Sequence, residues 1–139
     1  MRIYVYFVGK PRDEHANALA AEFLKRTSRW AKCEMREVNP QRAEFWEKHP
    51  TAAFVLLDPA GKRWDSAEFA ARVREWEDQA RDVVFVLGGH DGLPEAWRGR
   101  ATVLLSLSPM TFPHELARAM LAEQIYRAFA TLRGHPYPR

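Results

Sequence analysis

The sequence predicts a three-layer α/β fold built on a mostly parallel sheet of about five strands. Three observations lead there. Five short apolar runs alternate with amphipathic stretches, two of those runs are apolar throughout, and the chain has room for one such unit. Its 139 residues are 47% hydrophobic and include five tryptophans and eight phenylalanines. A chain of this size can bury roughly two thirds of its unfolded surface around one core.

The elements follow in order. Residues 2–8 form the first strand, and Val8-Gly9-Lys10 closes it. Residues 14–30 place Leu19, Phe23, Leu24 and Trp30 along one helical stripe. A second strand is expected over 33–38 and a short helix over 44–49. The runs at 53–58 and 82–87 are continuously apolar, as parallel strands buried on both faces are. Between them, residues 66–80 set Phe69, Val73 and Trp76 at i, i+4 and i+7, opened by Asp65 with Glu68 three residues on, a capping-box pattern. A fifth strand is expected over 102–107. The closing helix, 114–132, carries Leu121, Ile125, Phe129 and Leu132 on one side. Its other faces hold Met120 and Tyr126, a pattern that fits either a second subunit or burial within its own domain. No repeat, low-complexity stretch or linker interrupts residues 1–139, which read as a single domain.

No segment reaches the roughly 18 apolar residues of a membrane span. The run Ile3–Val8 is too short for a secretory h-region and has no small-residue cleavage site after it. A lone cysteine, Cys33, excludes an internal disulfide. A cytoplasmic protein is the expectation. Charge is uneven: residues 98–139 carry six arginines against Glu115 and Glu123, a net of +4, while the rest of the chain is close to neutral. That excess, beside the glycine-rich segments, favours an anionic partner such as nucleic acid.

The candidate chemistry lies in the last third. Leu87-Gly88-Gly89-His90-Asp91-Gly92 and Leu105 through His114 each leave an apolar run and enter glycine, serine and proline at once. Two such strand ends read as opposite walls of one pocket, although a plain tight turn would look the same. The first segment is neither a dinucleotide fingerprint nor a phosphate loop. Histidines 90, 114 and 135 lack ligand spacing, so no metal is expected. Ser106 and Ser108 have no nucleophile elbow around them and suit bonds to loop backbone or ligand. The end of the chain, Arg133-Gly134-His135-Pro136-Tyr137-Pro138-Arg139, holds an imidazole, a phenol and a guanidinium in extended, proline-stiffened backbone. Such a series suits an unpaired base and its phosphates; a frayed terminus is the alternative.

Five motifs then occur in order: Asp58-Pro59-x-Gly61-Lys62-x-Trp64-Asp65-Ser66, Val86-Leu87-Gly88-Gly89-x-x-Gly92, Ser106-Leu107-Ser108-x-Met110-Thr111-x-Pro113-His114, Glu123-Gln124-Ile125-Tyr126-Arg127-Ala128 and His135-Pro136-Tyr137. Over nearly its whole length the chain resembles the small bacterial SPOUT-class methyltransferases that modify N3 of a pseudouridine in large-subunit (23S) ribosomal RNA. The resemblance implies a C-terminal trefoil knot, a homodimer whose active sites are shared between subunits, and S-adenosylmethionine as methyl donor. It assigns the cofactor to Leu57, Gly88, Gly89, Leu107, Ser108, Pro109, Met110, Thr111 and Phe112. It places Arg127, His135, Tyr137 and Arg139 on the substrate side, a cation stabilising the anion left by the imide proton and His135, or a water it orients, accepting that proton. Two departures stand out. The family's Gly-Gly-Pro-Glu-Gly is Gly-Gly-His90-Asp91-Gly here, and Pro138 takes the place of a histidine. A non-catalytic RNA-binding domain and an unknotted nucleotide-binding enzyme are the competing readings.

Overall fold

A computed structural model describes residues 1–137. The chain runs β1 (Arg2–Val8), α1 (Glu14–Thr27), β2 (Lys32–Val38), a 3-10 turn (Pro40–Arg42), α2 (Phe45–Lys48), β3 (Ala53–Lys62), α3 (Ser66–Asp78), β4 (Val83–Leu87), α4 (Glu95–Arg98), β5 (Val103–Leu105) and α5 (His114–Leu132). The five strands form one sheet in the order β2-β1-β4-β3-β5, and every named pairing is parallel. Alternation along the strands sends Ile3, Val5, Val55, Val83 and Phe85 to one face, covered by α1, α3 and α5. Tyr6, Phe54, Leu56, Val84 and Val86 face the other way, against Phe45 and Trp46 of α2 and Trp97 of α4. The three layers are therefore unequal: three long helices on one side, two single turns on the other.

Local chemistry explains the helix ends. Asp13 accepts from the Ala16 amide at 3.0 Å and opens α1. Asp65 and Glu68 form the expected reciprocal box at α3, with bonds of 2.7 and 3.2 Å. Helix α1 stops at Thr27 rather than running to residue 30. The Thr27 hydroxyl bonds back to the Phe23 carbonyl at 2.8 Å, and Ser28 caps the end, so Trp30 lies outside the helix. Helix α4 has no counterpart in the sequence pattern, because a single turn is too short to show a 3.6-residue period.

Strand β3 runs four residues past its expected end, while β5 stops at Leu105 instead of 107. Both Leu57 and Lys62 face Leu105, so Asp58–Gly61 bulges away from β5 and returns to it. Gly61 makes the return possible. A Cβ there would sit 2.6 Å from the carbonyl carbon and oxygen of Leu104, backbone that has no side chain to yield. Gly61→Ala is expected to destabilise by about 1–3 kcal/mol, the usual result of overpacking, measured as a lowered midpoint in thermal denaturation.

Helix α5 packs between α1 and α3, so most of its apolar residues are buried within its own domain. Arg118 is buried among them, 0% exposed, with its guanidinium 3.9 Å from the Phe7 ring centre. Cys33 is half-buried and its thiol is pushed up to about 12 by burial, which makes it an inert packing residue.

Candidate active site

At the carboxyl end of the sheet, β4, β3 and β5 deliver their chains to one crevice. From the central strands β1 and β4 the connections lead to opposite edges, β2 on one side and β5 on the other, the arrangement in which open α/β sheets bind ligands. A cavity of about 270 Å³ lies there. Eight of the nine expected cofactor residues line it: Leu57, Gly88, Gly89, Leu107, Ser108, Met110, Thr111 and Phe112. Pro109 does not; it belongs to the same loop, but its ring is not part of the wall. The cavity also takes in Asp58, His90, His114 and Ala117.

The glycine-rich segment is both a tight turn and a pocket wall. The Gly92 amide donates to the Gly89 carbonyl at 3.0 Å, and Gly92 has φ +75°. The turn folds so closely that a Cβ on Gly88 would lie 2.5 Å from the Gly92 carbonyl carbon, and one on Gly89 would lie 3.0 Å from the Val8 carbonyl oxygen. Bare backbone therefore faces the cavity on this side.

The opposite wall is shaped by the two serines. Ser106, 3% exposed, donates to the Ser108 carbonyl at 3.0 Å, and the Ser108 hydroxyl accepts from the Met110 amide at 3.0 Å. Both hydroxyls hold loop backbone, which accounts for them without nucleophilic chemistry. Met110 is left 73% exposed at the rim. Asp58 is the polar wall residue that sequence reasoning did not single out as a site. One carboxylate oxygen accepts from the Ala60 amide at 2.8 Å and the other pairs with Arg98. An aspartate before proline directly after a buried apolar strand is the signal that marks it.

The residues expected on the substrate side gather elsewhere. Arg127 donates to Glu123 with bonds of 2.6 and 3.1 Å, and the Tyr137 hydroxyl donates to the same carboxylate at 2.5 Å. The Arg127 guanidinium also lies 5.5 Å from the Tyr137 ring centre. The bond to Glu123 raises the Arg127 pKa. Burial and then the Glu123 bond push the Tyr137 phenol up to about 12. Tyr137 therefore stays a protonated donor near neutral pH and is no base. The Tyr137 amide donates to His135 Nδ1 at 3.2 Å, which places the proton of a neutral imidazole on Nε2. Tyr137 is thus folded back onto α5, not held out in solvent. Arg139 and Pro138 lie outside the described residues.

Among the described residues these two groups do not meet. Ala117 at the cavity and Arg127 are ten residues apart on one helix, about 15 Å along its axis. Between them opens a second, larger cleft of about 480 Å³, lined by Leu19, Phe23, Leu116 and Met120 and bounded by Glu123. Leu19 and Leu116 on its walls are 47% and 41% exposed. The basic excess of the C-terminal third is largely internal: Arg98, Arg127 and Arg133 pair with Asp58, Glu123 and Glu77, and Arg118 is buried. Among the described residues no cluster of three or more His, Cys, Asp or Glu is placed to hold a metal ion. No helix among them is long and apolar enough to cross a membrane.

Comparison with known proteins places this arrangement. Residues 1–138 match the family model described as "Predicted SPOUT methyltransferase". A protein of Solibacter usitatus named "Ribosomal RNA large subunit methyltransferase H" is 65% identical over 139 residues, covering all of both chains. One of the same name from Chromobacterium violaceum is 39% identical over 155 aligned positions, covering all of this chain and 99% of that one. Among solved structures, a probable methylase family protein of Haemophilus influenzae superposes with a TM-score of 0.61 at 9% identity, over 99% of this chain and 70% of that one. A putative methyltransferase of Legionella pneumophila, solved with bound SAM, gives 0.57 at 16% identity, over 92% and 66%. At such identities these two structures speak to the fold alone. From end to end, the chain belongs to the SPOUT methyltransferase family.

Proposed function

We propose that the protein transfers a methyl group from S-adenosylmethionine to N3 of a pseudouridine in 23S ribosomal RNA, in the cytoplasm, as a homodimer with active sites shared between subunits. One observation carries this reading. A chain 65% identical throughout to a relative named as a large-subunit rRNA methyltransferase brings residues of three of its motifs, those beginning at Asp58, Val86 and Ser106, to a glycine-walled cavity at the carboxyl ends of its strands.

The residues at the cavity fit the cofactor. Gly88 and Gly89 admit an adenosine to bare backbone, while Leu57, Leu107 and Phe112 offer apolar surface for its ring. When bound, the cofactor supplies an electrophilic methyl on its sulfonium, so the chemistry left to the protein is mostly alignment. Arg127 stays cationic and is placed to stabilise the imide anion of the target. Tyr137 keeps its proton and serves as a donor that holds Glu123. His135 accepts the imide proton, directly or through water, after its Nδ1 is released from the Tyr137 amide. Arg139 completes this set in the reading.

The separation of about 15 Å between cavity and tail supports the shared site, since a second copy can bring its tail to this cavity. The cleft between α1 and α5, with its exposed leucines, is the surface on which that copy would seat.

Labelled methyl transfer to purified ribosomes lacking the modification tests the proposal, with a parallel sample carrying uridine at the target position. Transfer to the pseudouridine particle alone is expected. Cofactor binding without transfer to either particle would overturn it in favour of a non-catalytic domain or a different substrate.

A further inference from the structure

We infer that Trp30, backed by Tyr126 and flanked by Arg29, is a stacking platform for an unpaired nucleotide of the RNA substrate. The inference rests on the rRNA methyltransferase reading and adds to it a substrate contact at Trp30, a residue outside the five motifs.

The platform is a consequence of how α1 ends. Because Thr27 and Ser28 terminate the helix, residues 28–30 turn, the Trp30 amide donating to the Thr27 carbonyl at 2.8 Å. The indole thereby reaches α5, where it stacks on Tyr126 with ring centres 5.6 Å apart and planes 22° from parallel. His135, from the tail, meets the indole edge-on at 5.6 Å. The Arg29 guanidinium lies 4.9 Å from the indole centre. Tyr126 is buried and Arg29 is exposed, with Trp30 half-buried between them, so the indole has an inner side against the core and an outer side toward solvent.

Two comparisons within the molecule point to a ligand. Trp46, Trp76 and Trp97 are all buried, as tryptophans used for packing are, whereas Trp30 and Trp64 keep open surface, and of these two only Trp30 is stacked on a second aromatic ring and met edge-on by a residue of the tail. Arg29 over the ring, Lys32 two residues further on and Lys25 in the last turn of α1 are all exposed, and none forms an ion pair among the described residues. In contrast, the basic residues of the C-terminal third are mostly paired or buried. An aromatic face among unpaired cations complements a nucleobase and its phosphates: the base stacks on indole or guanidinium, and the cations meet the backbone. Contact with His135 puts this nucleotide next to the tail, as a neighbour of the target base.

The test uses the full-length protein and three variants: Trp30→Ala, Trp30→Phe and Arg29→Gln. In methyl transfer to unmodified ribosomes, Trp30→Ala is expected to raise KM for the ribosome on the order of tenfold, as loss of one stacked base does. Trp30→Phe should recover most of that loss. Arg29→Gln should raise KM less and flatten its salt dependence. S-adenosylmethionine affinity and the melting temperature report on folding. A ribosome KM within twofold of the parent in Trp30→Ala would overturn the platform, as would a loss in which kcat and melting temperature fall together in both Trp30 variants. If the parent methylates no ribosome, the functional reading itself fails, and the platform is then judged by fluorescence titration with a short single-stranded oligoribonucleotide. Quenching present in the parent and absent in Trp30→Phe supports it; equal quenching in both removes it.

Discussion

Gly88→Ala is expected to abolish useful binding of S-adenosylmethionine in a protein that still folds. A Cβ at this position would stand 2.5 Å from the Gly92 carbonyl carbon and 2.8 Å from its Cα. Both are backbone atoms, so relief requires the Gly88–Gly92 turn to open by about an ångström. That turn is one wall of the cavity, and a displacement of this size in a positioning element weakens function roughly 100-fold. The accompanying loss of stability is about 1–3 kcal/mol, small enough for the variant to be purified and titrated. Two other glycines serve as controls. Gly92 has φ +75° but open space around its Cβ position, and Gly99 has open space with an ordinary φ of −70°. Gly92→Ala should show modest backbone strain with a smaller binding loss, and Gly99→Ala should behave like the parent. Calorimetric titration of the three variants ranks them. Equal affinity in Gly88→Ala and the parent would show that this wall is not where the cofactor lies.

Arg118→Met is expected to produce the largest loss of stability among single substitutions of polar residues, about 2–4 kcal/mol. The guanidinium is fully buried and donates to Asn17 at 3.1 Å and to the carbonyls of Val8 and Gly9 at 3.3 and 3.5 Å. It also faces Glu115 at 3.6 Å and the Phe7 ring. Methionine fills much of the volume but leaves the two half-buried carbonyls of Val8 and Gly9 short of a donor, at roughly 1–3 kcal/mol each when fully unsatisfied. Two facts temper the total. Nε of Arg118 is itself buried without a partner, and burial already lowers the arginine's pKa, so the wild-type cation is imperfectly compensated. Glu115, moreover, keeps the amides of Arg12 and Asp13 and the side chain of Asn17 as donors. Arg118→Lys should fall between, since an ammonium keeps the charge but not the fork. Urea denaturation reads the order. Because the Val8 carbonyl abuts Gly89, Arg118→Met should also weaken cofactor binding, which links the core of α5 to the pocket wall.

The same network carries a pH dependence. Bonds from the Arg12 and Asp13 amides hold the Glu115 carboxyl down to about 2, against an ordinary value of 4.5. A depressed carboxylate contributes stability above its unfolded pKa and loses it as pH falls through the folded one. Acid should therefore erode this contribution between about pH 4.5 and 2, and Glu115→Gln should flatten the stability profile within that window.

Much of this molecule was legible in its residues. Val83–Leu87 reads as a central strand because five consecutive apolar side chains leave no polar face, and the sheet buries both sides of it. Asp65 and Glu68 announce α3 because capping is local chemistry, complete within four residues. The cavity wall was legible for the same reason: glycine, serine and proline at strand ends are needed wherever backbone must approach a ligand, whatever the rest of the fold does. The family resemblance added which ligand to expect and which residues of each loop to watch. Helix α4 was not legible, because a single turn has no period. Nor was the extension of β3 to Lys62, because its pairing depends on a return to Leu105 across a four-residue bulge.

What the sequence determined by itself were the order and type of the long elements, the sheet's parallel character and the two loops that face each other. All of these follow from side-chain periodicity and backbone freedom, which act over a few residues. Only the tertiary structure decided how charges were disposed. Six arginines in the last 42 residues read as a basic surface, yet folding pairs three with carboxylates and buries a fourth. It also decided that cavity and tail stand at different positions along α5, since rise per residue becomes distance only when the helix is straight and its neighbours are placed. And it brought Trp30 out of α1 onto Tyr126, a contact across 96 positions of sequence. Contacts of that range depend on the packing of whole helices, which no local pattern of residues encodes.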